Sequence, residues 1–274
     1  MKTTDEAIAE VRKTFPFPNY FGSNDAPWRT VGDVVRRFCK PDDRLLDLGS
    51  GPCDKTAIAQ HLGLQCTAID DLEDDWHKRG DTVEQIKRFA RDTGISFTQT
   101  FLPPEPGSYD MVMMNDVLEH IHDSPRDLLL ALVEGLKDGG LLFVTVPNLG
   151  NLRKRIDLLF GGTNLPNYDF YFWHPGRFRG PQREYVRGDL VAMCRNLGLD
   201  IVELRSVHHM LQKLPRLARP AYRALTMLIP GARDTWLLVA RKPEGWTAPV
   251  QDADKQFMQI YRQTAKAALY DSVR

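Results

Sequence analysis

Two periods of apolar residues alternate along the chain. Residues 44–48 (RLLDL) form a short apolar run that ends in Gly-Ser-Gly-Pro, and a helix-compatible stretch follows from Asp54 to His61. This order predicts a strand, a glycine turn and a helix in succession. A second apolar run, 65–69, ends at Asp70-Asp71; Val83, Ile86, Phe89 and Ala90 then recur at helical spacing until Gly94 stops them. Residues 95–100 and 109–115 read as strands separated by the turn-rich PPEPGS. The next helix is marked by Asp123 or Ser124 as cap, Pro125 in its first turn, the apolar run 128–133 and a stop at Gly139-Gly140. A buried strand (141–146), a helix ending at Gly198 (187–198) and two more strands (200–207 and 235–242) complete the pattern. Strands alternating with helices at this spacing predict an α/β fold, a doubly wound and mostly parallel sheet covered on both faces.

Three stretches stand outside the alternation. Residues 1–40 are expected to be a helical N-terminal segment. Residues 148–184, rich in Gly, Pro, Asn, Arg and aromatic side chains, read as an insertion that carries function. Residues 211–233 are basic and apolar and are interrupted by Pro215, Pro220 and Pro230. A single domain over 1–242 and a C-terminal tail over 243–274, helical from 252 to 273, account for the whole length. Composition agrees with one folded body: 42% hydrophobic and 26% charged residues supply a substantial core. Thirty-six basic residues balance thirty-six acidic ones, so the overall charge gives no pull toward nucleic acid. Cys39, Cys53, Cys66 and Cys194 show no CxxC spacing, which argues against a zinc ribbon or disulfide scaffold and for a reducing cytoplasm. The N-terminus lacks the apolar core of a signal peptide, and no stretch approaches the roughly 20 apolar residues that span a bilayer.

The glycine turn carries the first chemical signal. Gly49 and Gly51 stand where a strand turns into a helix, so a ligand can approach backbone that side chains would otherwise block. At the end of the next strand Asp70 can accept hydrogen bonds from the two hydroxyls of a ribose. A dinucleotide fingerprint wants a third glycine where this chain has Asp54, which weakens an NAD-type oxidoreductase reading.

Asp47, an acid before the first glycine, resembles the E/DxGxG signature of class I methyltransferases that use S-adenosylmethionine (SAM). Asn115-Asp116-Val117-Leu118-Glu119-His120 resembles the post-strand motif of the branch that includes ubiquinone-type and glycan-modifying methyltransferases. The resemblance covers roughly residues 40–242 and implies the Rossmann-like methyltransferase fold, seven strands with an antiparallel last strand. It implies that Gly49, Ser50 and Gly51 line the methionine moiety of SAM, Asp70 the ribose, and Asp71 and Leu72 the flank of the adenosine. Asn115 and Asp116 would close the site beneath the sulfonium. Two departures stand out: Cys53 replaces a glycine common in relatives, and FTQTFLPP lacks the usual acid at the adenine amine, leaving Phe101 or Leu102 to contact the base.

A sulfonium methyl is already activated, so the protein must chiefly align acceptor and methyl and exclude water. For a hydroxyl acceptor, His120 is the first candidate for a general base, with Glu119 beside it; capping the loop or packing against SAM is the equal alternative for His120. Glu119, His120, His122 and Asp123 are also dense in metal-ligand types, yet neighbours in one loop seldom all point inward and the spacing matches no metal motif, so no metal is expected.

The insertion holds Tyr168, Phe170, Tyr171, Phe172 and Trp173, then His174, Arg177, Arg179, Arg183 and Tyr185. It resembles the acceptor lid of methyltransferases that act on glycans and lipid-linked sugars. Aromatic faces suit sugar rings and arginines suit carboxylate or phosphate, and His174, Arg177, Arg183 and Tyr185 are the expected acceptor contacts. Residues 211–233 could rest on an anionic membrane, or form a solvated cap or dimer contact. The resulting expectation is a SAM-dependent O-methyltransferase of a saccharide-like or other small hydroxyl acceptor. N- or C-methylation, an oxidoreductase and a non-catalytic SAM-binding protein are the alternatives.

Overall fold

The computed structural model describes residues 1–20, 22, 24–229, 231–249, 257 and 260. Helices α1 (Thr4–Thr14) and α2 (Ala26–Phe38) form the N-terminal segment; a reciprocal capping pair, Thr3 and Glu6, starts α1. The alternating part follows as β1 (Arg44–Leu48), α3 (Asp54–His61), β2 (Gln65–Ile69), α4 (Thr82–Thr93), β3 (Ser96–Thr98), β4 (Tyr109–Asn115), α5 (Arg126–Gly135) and β5 (Leu136–Pro147). Two helices, α6 (Leu152–Leu159) and α7 (Tyr168–Phe172), lie in the insertion, and α8 (Arg187–Leu197) returns the chain to β6 (Asp200–Val207). After α9 (Arg219–Leu228), β7 (Thr235–Arg241) completes the sheet.

The seven strands run in the order β3-β2-β1-β4-β5-β7-β6, with β7 antiparallel to both neighbours and the others parallel. This is the expected fold class, and the expected antiparallel strand is the last one. Successive strand residues point to opposite faces. Leu45, Met111, Met113 and Phe143 enter a core closed by α1 to α4; Leu46, Val112, Met114 and Leu142 enter one closed by α5 and α8. Each such side chain contributes about 1.5–3 kcal/mol by leaving water, so the sheet is held from both sides. Strand order reverses where β1 has β2 on one flank and β4 on the other, which opens a crevice at the carboxyl ends of these strands.

Two local expectations are corrected. Helix α5 ends at Gly135 rather than at Gly139-Gly140. A Cβ on Gly135 would lie 2.4 Å from the Pro104 ring, and Lys242 Nζ takes up the carbonyls of Glu134 and Leu136, so the helix is closed there. The chain then pairs Leu136 with Tyr109, bulges, and resumes at Leu141 opposite Met111. Pro220, read as an interruption, instead sits in the first turn of α9, where its missing N–H costs nothing. The helical expectation for 252–273 falls outside the described residues, apart from positions 257 and 260.

Candidate functional site

The glycine turn is pinned to the second strand. Gly49 and Ser50 both donate their N–H to the Ile69 carbonyl (2.7 and 3.2 Å), and Gly51 donates to Asp70 Oδ2 at 2.7 Å. The other Asp70 oxygen accepts the Leu72 N–H at 2.8 Å. Gly49 and Gly51 take φ of +72° and +51°, the left-handed region. A Cβ on Gly49 would meet Val117 Cγ2 at 2.2 Å, so only glycine fits between the two turns. Cys53, two residues after Gly51, also adopts a left-handed φ of 63°. Its backbone keeps the glycine-like conformation that the side chain disfavours.

This turn forms the floor of a cavity of about 570 Å³ at the reversal of strand order. From the expected set, Asp47, Gly49, Ser50 and Gly51 line one wall and Asp70, Asp71 and Phe101 another. Asn115, Asp116 and His120 line the side formed by the end of β4. Leu72 and Leu102 are not among the lining residues: Leu72 is buried beneath its strand end and Leu102 faces solvent. Gln99 does line the cavity, a polar amide where the sequence shows no acid. From the N-terminal segment comes Tyr20, whose ring lies 5.1 Å from Trp76; Trp76 in turn meets His77 at 4.1 Å in a tilted contact, and all three line the same space.

The polar groups there are arranged to meet a ligand. Asn115 Nδ2 and both ring nitrogens of His77 are buried without a hydrogen-bond partner among the described residues. Buried polar groups left unmatched cost about 1–3 kcal/mol, so a polar ligand that reaches them gains directly. Asp70 has lone pairs beyond the two it gives to backbone, and a Cβ on Gly51 would meet only the Tyr20 hydroxyl, at 4.0 Å. A nucleoside with a polar amino-acid tail fits this donor and acceptor set. Asp54 occupies the position of a third fingerprint glycine, buried, and accepts the Trp28 indole N–H at 2.5 Å.

Charge is concentrated at the end of β4. Lys55 reaches from α3 to Asp116 at 2.7 Å. Burial opposes charge on both, but their mutual attraction prevails, holding Asp116 below the usual carboxylate range and Lys55 above its own. Asp116 has a left-handed φ of 60° and donates its N–H to the Thr145 carbonyl. Burial pushes Asp47 up to about 7, against the hydrogen bond it accepts from Thr56.

His120 borders the cavity with its ring orientation fixed. Its Nδ1 lies 2.7 Å from the Arg179 carbonyl, which can only accept, so Nδ1 donates there and Nε2 is the ring nitrogen this bond leaves free. Glu119 does not line the cavity. It is buried, with Oε1 3.9 Å from His120 Nε2 and Oε2 without a partner among the described residues, and its carbonyl accepts the N–H groups of Gln182 and Arg183. Burial, then the charge of Asp116, push Glu119 up to about 8. Because the folded chain holds this proton more tightly than the unfolded one, its stabilising share is complete below the ordinary carboxyl range and fades as pH rises through about 8. Glu119→Gln is therefore expected to flatten the fall in melting temperature between about pH 5 and pH 8. A wild-type pH slope surviving intact in the variant would show that Glu119 is ionised throughout.

None of the four expected acceptor contacts lines this cavity. His174 is packed against Phe170 and Phe178 with Nε2 3.4 Å from Asp75, and Arg177 faces solvent. Arg183 pairs with Asp189 and lies over Tyr185, whose hydroxyl donates to the Leu118 carbonyl. Arg179 is the arginine of the 148–184 segment that reaches the site: it grips Asp71 at 3.0 Å and Asp74 at 3.1 Å while its carbonyl orients His120. Among the described residues no three His, Cys, Asp or Glu side chains are grouped to hold a metal ion.

Comparison with known proteins bears on the same region. A family model described as a methyltransferase domain matches residues 24–204. A ubiquinone biosynthesis O-methyltransferase of Xanthomonas campestris pv. campestris is 31% identical over 115 residues, 42% of this chain and 47% of that protein, so the chain spans about half the length of that curated relative. One of Burkholderia pseudomallei is 26% identical over 63% of this chain and 72% of its own. In structure, the chain resembles phosphoethanolamine N-methyltransferase 2 of Haemonchus contortus, solved in complex with S-adenosyl-L-methionine: TM-score 0.56, 18% identity, 88% of this chain and 57% of that one. At that identity the likeness concerns the fold alone.

Proposed function

The chain belongs to the methyltransferase domain family, and from that premise we propose that it transfers a methyl group from S-adenosyl-L-methionine to a hydroxyl of a small-molecule acceptor. When bound, that cofactor supplies an activated methyl on a positively charged sulfur. Asp70 holds the ribose hydroxyls, the turn from Gly49 to Gly51 and the Asn115 amide hold the amino-acid end, and Gln99 with Phe101 borders the base. Lys55 and Asp116 keep the floor beneath the reacting atoms ordered, and Arg179 shuts the lid against water.

One observation carries the hydroxyl reading: His120 lines the cavity with Nδ1 committed to the Arg179 carbonyl, which leaves Nε2 as the nitrogen available to take a proton. An amine or an acidic carbon needs such a base less. The O-methyltransferase names of the curated relatives support the same chemistry. The aromatic lid suits a flat or saccharide-like acceptor. Exposed Leu217, Met227 and Leu228 beside Arg216 and Arg223 support a peripheral membrane contact through residues 211–233. Among the described residues no helix is long and apolar enough to cross a membrane, and four free, buried cysteines suit a reducing cytoplasm.

Family membership sets aside the oxidoreductase alternative. Incubation with methyl-labelled cofactor and a panel of phenolic, catechol and saccharide acceptors is expected to give an ether product, identified by mass spectrometry. Label found only on nitrogen or carbon would overturn the hydroxyl assignment and leave the family intact.

A further inference from the structure

A second cavity, of about 510 Å³, opens on the same edge of the sheet, bordered by Asn148 just past the end of β5 as the first is bordered by Asp116 just past β4. Four arginines line it from four elements: Arg155 of α6, Arg187 at the start of α8, Arg205 of β6 and Arg233 ahead of β7. No carboxylate belongs to its described lining, and among the described residues Arg205 alone of the four meets one, Glu203. Arg155 and Arg233 donate instead to the carbonyls of Gly150 and Ser206, which aim the guanidinium groups without neutralising them. Like charges gathered around one space repel each other unless an anion lies between them.

Two further observations point the same way. Trp236 also lines the cavity; it is 5% exposed and its indole nitrogen, a donor only, has no partner among the described residues. The first turn of α8 forms part of the wall, where the N–H groups of Arg187 and Gly188 have no acceptor among the described residues, and a Cβ on Gly188 would meet nothing within 4 Å. Donors and positive charge converge here, and none of these groups is used in the proposed methyl transfer.

We propose that this cavity is a second binding site, one that takes a phosphate or diphosphate group carried on an organic body. Guanidinium forks match phosphate oxygens two at a time, and a helix start adds backbone donors. The space exceeds what a bare phosphate fills, and Leu204, Met227 and Ile229 offer the rest of the ligand an apolar wall. Either a soluble phosphate ester or a phospholipid headgroup presents this chemistry.

Calorimetry on the full chain with inorganic pyrophosphate is expected to show saturable binding that saturating S-adenosylmethionine does not displace. The double variant Arg155→Ala, Arg187→Ala should weaken it about tenfold or more while leaving cofactor affinity as in wild type, which also shows that the variant is folded. Glucose 1-phosphate and vesicles containing phosphatidylglycerol distinguish the carrier: whichever binds wild type and is lost with the double variant identifies the source. The proposal is overturned if neither pyrophosphate nor either carrier binds, if binding is equal in the double variant, or if the cofactor competes it away.

Discussion

Asp70→Ala is expected to weaken S-adenosylmethionine binding by about 10²–10⁴-fold. The carboxylate stands at the end of β2 with both oxygens already ordered by the N–H groups of Gly51 and Leu72, so it meets a ribose without further loss of freedom. A hydrogen bond to a charged group contributes about 1.5–3 kcal/mol, and two ribose hydroxyls give about 3–6 kcal/mol, the range quoted. The same change releases two backbone donors at the glycine turn, so the melting temperature should fall as well. Calorimetry below both melting transitions separates the two effects. An affinity within about threefold of wild type would show that Asp70 organises the turn and does not hold the ribose.

His120→Ala is the second large effect. Removing a general base lowers turnover on a hydroxyl acceptor by about 10²–10⁴-fold, and cofactor affinity should be unchanged because the ring borders the cavity without supporting the glycine turn. Comparison of kcat with the cofactor dissociation constant tests this directly. Undiminished kcat would take His120 off the list of reacting groups and leave alignment by the lid as the source of acceleration. Arg179→Ala is not an equivalent probe, since His120 is held through the main-chain carbonyl of that residue.

Local sequence signals located the parts of the fold that depend on local geometry. The strand, the left-handed glycines and the acid closing the second strand lie within one stretch of chain, and their spacing alone brings Gly51 to Asp70. Glu119 was legible as a residue type, but its depth was not: its burial follows from the contact of its turn with Gln182 and Arg183, far along the chain. That Arg179 and not Arg177 lines this cavity was illegible for a related reason. Two arginines two positions apart in an irregular loop carry no periodicity, and only the position of Asp71 and Asp74 across the cavity selects one of them. Gln99, Tyr20, Trp76 and His77 likewise reach the site from separate elements, so no short motif announces them. Helix α5 was overextended because Gly139-Gly140 is a stronger local stop than Gly135, whose role comes from Pro104 and Lys242.

The close approach of Gly49 to Val117 has an engineering consequence. The glycine turn and the turn after β4 pack directly on each other, whereas the stretch from 148 to 184 reaches this region through the ion pairs of Arg179 with Asp71 and Asp74 and through backbone bonds to Glu119. On the proposed function, exchanging that stretch for one from a relative is expected to change the acceptor used while leaving S-adenosylmethionine affinity near wild type, provided the main-chain carbonyl that orients His120 is kept.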